Sequence, residues 1–174
     1  MKSTGVVRRI DDLGRIVIPK EIRRNLRIRD GESLEIFVDN SDIILKKFSI
    51  MSGMDEYAFN LVKSLYSLTK KSVIITDNDS IIAASGDVKS LLNKSISENL
   101  NMCIKRRESI LEKYCKKLFI TDDYAFEGEY VINSIIANSD CVGLVIIFDK
   151  EIIDDDDMKM ALIASKILSK SIEE

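Results

Sequence analysis

The side chains best suited to chemistry in this sequence are guanidinium groups. Arg8, Arg9, Arg15, Arg23 and Arg24 follow one another closely, with Lys2 ahead of them. Each guanidinium presents a rigid fork of donors that can clamp a phosphate or read the O6 and N7 edge of a guanine with two hydrogen bonds. Residues 1–29 hold nine Lys/Arg against three acids, Asp11, Asp12 and Glu21, which is +6; the chain as a whole is −3, so residues 30–174 carry −9. A basic front on an acidic body is the footprint of a polyanion bound at one end. It is equally the look of a small, well-solvated domain, and part of the arginine set is available for ion pairs with Asp11, Asp12 and Glu21.

Other chemistries are excluded more firmly. The chain has no histidine, which removes Ser-His-Asp and Cys-His catalysis and HExxH zinc hydrolysis together. Its seven glycines are scattered singly, so there is no Walker loop and no GxGxxG cradle for phosphates. No enzymatic activity, cofactor or metal is expected. Cys103, Cys115 and Cys141 are odd in number and lack CxxC spacing; with no apolar signal segment at the N-terminus, they fit a reducing cytoplasm and read as ordinary buried thiols. No apolar run approaches membrane-spanning length, so no membrane partner is expected. The acidic run Asp154 to Asp157 suits the positive end of the helix that follows it, and Asp77 with Asp79, and Asp122 with Asp123, read as turn residues.

The elements that must position the arginines can be read in order. Thr4 to Ile10 is a β-branched run closed by the turn-rich Asp11-Asp12-Leu13-Gly14, and Arg15 to Ile18 is a second short run ending at Pro19, the only proline. Pro19 suits the start of a helix whose narrow apolar face is Ile22 and Leu26 and whose outer face is Arg23, Arg24 and Arg27. Arg8 and Arg9, adjacent on a strand, point to opposite faces, which ranks Arg8 above Arg9 as a contact. Asp30-Gly31 breaks the helix; Leu34, Ile36 and Val38 then alternate, and Asn40-Ser41-Asp42 turns the chain into IILKK, a second hairpin. Fewer than about 50 residues with so few large side chains cannot bury a sufficient core, so two copies must share one.

A domain at 1–50, a linker at 51–54 and a second domain at 55–174 are expected. Met54, Ala58, Leu61, Leu65 and Leu68 alternate in spacings of four and three, as in a helical seam between chains. A helix lying on its own sheet has the same pattern, and two heptads leave both readings open. Beyond it come SVIITD and IIAAS as a hairpin, ISENLNMCIKRRESI as a helix, then LFI, EYVINSIIAN and CVGLVIIFD as strands, and a last helix from about Asp155 to Ser171. Val142 to Phe148, apolar on both faces, reads as a central strand. This order describes an α/β sensor sheet of the GAF or PAS kind. In it Asn133 and Ser134 are conspicuous polar residues of an apolar strand, and at most one of them looks inward.

The segment MKSTGVVRRIDDLGRIVIPKEIRRNLRIRDGESLEIFVDNSDIILKK resembles the DNA-binding module of the AbrB-type swapped-hairpin transition-state regulators without a gap, most specifically at TGVVRRIDDLGR, IPKEIRR and LEIFVD before IILKK. That resemblance implies an interleaved homodimer whose strands and loops meet double-stranded DNA. Carried over by position, its DNA-contacting arginines are Arg8, Arg15, Arg23 and Arg24, with Arg9 and Lys2 as secondary candidates. With NKSISE at 93–98 and a GAF-like second half, the whole chain is similar to the sporulation regulators of this class. The implied fold class is α+β, a swapped-hairpin β-barrel dimer followed by a GAF-like α/β sensor domain. The implied function is activation or repression of forespore genes from the nucleoid, as a tetramer in which the GAF-like domains also pair; the spacing, not the resemblance, makes Ala58, Leu61, Leu65 and Leu68 the candidate seam. A small-molecule ligand of the GAF-like domain is left open. Antitoxins use a related N-terminal module for a protein partner, but such chains usually end in a toxin-binding tail where this one continues into a folded domain.

Overall fold

The computed structural model describes residues 5–28 and 30–173, and the chain divides into two compact units, 1–48 and 49–174. In the first unit, helix α1 (Lys20–Asn25) starts after Pro19, which needs no N–H there and whose carbonyl accepts from Arg23 N–H at 2.9 Å. Strands β1 (Leu34–Asp39) and β2 (Asp42–Lys47) form the expected hairpin, with Asn40 in the left-handed region (φ 53°) at its tip. The strands expected at 4–10 and 15–18 are not formed among the described residues: no part of 5–19 is in a strand, and the backbone hydrogen bonds between Asp11 and Arg15 close a loop instead. The reason is that a strand exists only against a partner ladder, and one copy of this unit supplies none for these segments.

The second unit is a five-stranded antiparallel sheet in the order β4-β3-β7-β6-β5. Its strands are β3 (Ser72–Thr76), β4 (Ile81–Ser85), β5 (Ser109–Phe119), β6 (Ala125–Ala137) and β7 (Asp140–Asp149). On one face lie α2 (Asp55–Thr69) and α4 (Asp155–Glu173); on the other lie a 3-10 turn at Gly86–Leu91 and α3 (Glu98–Arg106). β7 is central, as expected, with Val142 to Phe148 buried throughout. A side chain at Gly143 would fall on the carbonyl of Thr76 in the neighbouring strand, so this position in the sheet's middle is closed to anything but glycine. Asn138 and Ser139, both with positive φ (49° and 68°), make the tight turn between β6 and β7.

Four expectations need correction. α3 ends at Arg106, because Arg107 takes a left-handed cap (φ 53°), and Ser109 already belongs to β5. β5 is therefore an eleven-residue edge strand rather than the short LFI. The residues proposed as a seam between chains are largely committed within their own unit: Ala58 and Leu65 are buried against the sheet with Val62, Leu61 is half-buried, and only Leu68 is well exposed. Met51, placed in the expected linker, is buried in the same core, and Ser49 Oγ donates to Asp77 at 3.2 Å.

At the start of α4, Asp154 accepts from the N–H groups of Asp156 and Asp157, while Asp157 accepts from Asp154 N–H and pairs with Lys71 at 2.5 Å. The acidic run is thus a helix cap tied to Lys71, just before β3. Of the cysteines only Cys103 is buried; Cys115 is exposed and Cys141 half-buried, contrary to the reading of all three as buried. Burial first, then the nearby Glu108, pushes the Cys103 thiol up to about 12. At pH 8 a thiol reagent therefore modifies Cys115 first, and Cys103 only after unfolding; fast modification of Cys103 in the native chain would contradict this placement.

Candidate nucleic-acid interface

The basic surface is organised by Asp11. Its carboxylate accepts from the N–H groups of Leu13 (3.0 Å) and Arg15 (2.8 Å) and from the Arg15 guanidinium (2.7 Å). Its own N–H donates to the Arg15 carbonyl at 3.0 Å. The reversal needs a positive φ at Gly14 (75°), and Gly14 N–H closes the loop on the Asp11 carbonyl at 2.9 Å. The Arg15 backbone N–H, then its side chain, hold the Asp11 carboxyl below the usual carboxylate range. The loop therefore keeps its ionised hub at neutral pH and loses it only as pH falls through that lowered value.

Arg15 leaves this loop with its side chain largely in solvent, aimed by Asp11 without being covered by it. Arg8 and Arg9 lie in the segment before the loop, both exposed; the Arg8 guanidinium donates to the Val7 carbonyl at 3.2 Å. Arg24 is exposed on α1, without an ion pair among the described residues. Arg23 differs: half-buried, it pairs with Asp30 at 2.5 Å, and its Nε is buried without a partner. Of the acids read as possible arginine partners, Asp11 takes that role. Asp30 was not foreseen, because it lies beyond the helix break, where spacing along α1 gives no hint of it. Lys2 lies outside the described residues.

Residues 53–173 match the family model described as stage V sporulation protein T C-terminal, transcription factor. The chain is 48% identical over 154 residues to stage V sporulation protein T of Bacillus subtilis (strain 168), covering 87% of this chain and 86% of that one. The chain belongs to the stage V sporulation protein T family. Residues 7–49 also match the model described as antidote-toxin recognition MazE, bacterial antitoxin. Over 48 residues, 28% of this chain and 50% of the relative, the identity to transition state regulatory protein AbrB of Bacillus subtilis (strain 168) is 60%. Among solved structures, the GAF domain of the Acinetobacter phosphoenolpyruvate-protein phosphotransferase is 10% identical and has a TM-score of 0.58, over 73% of this chain and 84% of that one, a likeness of fold. This family member thus joins an AbrB-like N-terminal domain to a GAF-like α/β domain and is a sporulation transcription regulator.

The loop makes a direct prediction. Asp11→Ala removes the acceptor shared by two amides, so Leu13 and Arg15 N–H should exchange with solvent several-fold faster. Unchanged exchange by NMR would mean that Asp11 does not shape the loop.

Proposed function

We propose that the N-terminal units interleave in pairs to present one cationic ribbon to double-stranded DNA, with Arg8, Arg15, Arg23 and Arg24 as the contacts and Arg9 and Lys2 as flanking charges. One observation carries this reading. None of the described side chains in the first 48 residues is buried, and thirteen large hydrophobics there are exposed, among them Val6, Val7, Ile10, Val17, Ile36 and Val38. Burying only half of these at about 1.5–3 kcal/mol each would gain roughly 10–20 kcal/mol. That is as large as the stability of a typical domain, about 5–15 kcal/mol. A second copy supplies both a strand ladder for 6–10 and 15–18 and the cover for these side chains, and it doubles the arginine set. Arg23, held by Asp30, serves as a fixed edge of the ribbon; Arg8, Arg15 and Arg24 project.

Pairing extends to the second unit. α2 exposes Tyr57 and Leu68 beside half-buried Leu61, the neighbouring α4 exposes Ile163 and Ile167, and pairing through these helices joins two dimers into a tetramer. This replaces the seam through Ala58 and Leu65, which are already buried within the unit. The GAF-like domain also senses a small molecule, and the protein acts on the nucleoid in the cytoplasm of the forespore. The antitoxin reading is favoured by the family match at residues 7–49 and expects a protein partner instead. Purified protein that shifts sporulation promoter DNA by itself at moderate salt decides against it.

If about six phosphates are engaged, log K falls against log salt with a slope near −5. Arg15→Ala and Arg24→Ala should each lower affinity about tenfold or more, at ~1–3 kcal/mol per contact, with the circular dichroism spectrum unchanged. Gel-shift titration measures both; full affinity in the two variants, or a flat salt dependence, would remove the arginines from the interface.

A further inference from the structure

The side of β6 that faces α4 is apolar at Val131, Ile135 and Ala137, which pack with Ala161, Ala164 and Leu168. At Asn133 it is polar. Asn133 and Ser165 of α4 are 4% and 3% exposed, and Asn133 Nδ2 donates to Ser165 Oγ at 2.5 Å. Ser109 Oγ, at the start of β5, donates to Asn133 Oδ1 at 2.6 Å. Apolar side chains of the same shape would fill this place without the cost of desolvating an amide and a hydroxyl, so packing does not require the polar chain. The polar chain opens into a cavity of about 270 Å³ between the start of β5, β6 and α4, lined by Ser109, Asn133, Ser134 and Ser165 with Arg107 and Lys166, and by one acid, Glu108, which pairs with Arg106 at 3.5 Å.

The hydrogen-bonding capacity of the lining defines what fits. A hydroxyl has one donor and two acceptor positions. Ser109 spends its donor on Asn133, Ser165 on the Leu162 carbonyl (2.8 Å), Ser134 on the Glu108 carbonyl (2.8 Å) and Ser169 on the Ile136 carbonyl. The serines therefore have lone pairs left to offer. At the rim are two cations: Arg107, exposed and only 3.7 Å from the equally exposed Asp140, and Lys166, exposed and without an ion pair among the described residues. The volume falls just below the roughly 300–1,000 Å³ of drug-sized sites.

We propose that this cavity binds a small carboxylate that also bears N–H or O–H donors, an amino or hydroxy acid. Its carboxylate meets Arg107 and Lys166, and its donors meet the serine oxygens. The proposal rests on the reading of the second unit as a sensor and names that sensor's site and ligand class. α4 supplies Ser165, Lys166 and Ser169 to the cavity and exposes Ile163 and Ile167 on its outer side, so occupancy acts on a helix proposed to pair.

Calorimetric titration of the full-length protein with L-serine, L-glutamate, D-glycerate and L-lactate tests this, with acetate and inorganic phosphate as probes lacking the donors or the carboxylate. At least one of the first four should bind with a Kd of about 1 mM or tighter, at least tenfold weaker in both Lys166→Ala and Asn133→Val. Absence of heat with all four at about 10 mM, or acetate or phosphate binding as tightly, would overturn the proposal. Binding left intact by both substitutions would also overturn it, by moving the ligand elsewhere in the second unit, and would leave the sensor reading standing. Gel shifts with the same variants report separately on DNA binding.

Discussion

Val6, Ile10, Val17, Ile36, Val38 and Ile43 cannot all leave water while a single copy of the first unit stands alone. One short helix and one two-stranded hairpin have no second layer to cover them, and the chain from 5 to 19 has no strand to pair with. Apolar surface and a backbone without a strand partner set the same requirement, and the proposed pairing with a second copy of the same segment would meet both. In that pairing the basic loop and α1 of two chains would form one continuous surface.

Within this frame the acidic residues shape a basic surface. Asp11 does not cancel Arg15; it uses one carboxylate to fold the loop and aim a guanidinium that remains in solvent. Asp30 pairs with Arg23 from further along the chain. Fixed guanidinium groups lose less freedom on meeting a duplex than free ones, and exposed ion pairs of this kind add little stability of their own, which suits them to positioning.

Much of this was legible in the residues. Pro19 and the Asn40 turn mark their elements because each has a backbone reason to be there, and Val142 to Phe148 reads as a central strand because it is apolar on both sides. β5 was missed beyond its last residues because an edge strand carrying Glu112, Lys113, Lys116 and Lys117 has no apolar alternation to find. The end of α3 was missed because Arg107 occupies a left-handed cap without the glycine that normally signals one. Met54 to Leu68 shows the limit of periodicity: a helix on its own sheet and a helix on another chain repeat alike, and only the burial of Ala58, Val62 and Leu65 of α2 in the core of their own unit separates them. The basic set was visible as charge, but the loop hub at Asp11 and the clamp at Asp30 emerge only in three dimensions.

The second unit, by contrast, has two filled cores on either side of its sheet and needs no partner to be folded. Dependence on a second chain is thus concentrated where the arginines are. The most direct test is an isotope-filtered NOE measurement on a mixture of labelled and unlabelled full-length chains. Interleaving predicts strong intermolecular contacts from the methyl groups of Val6, Ile10 and Val17 to those of Ile36, Val38 and Ile43. Spectra in which these methyls contact only their own chain, or only solvent, would contradict it.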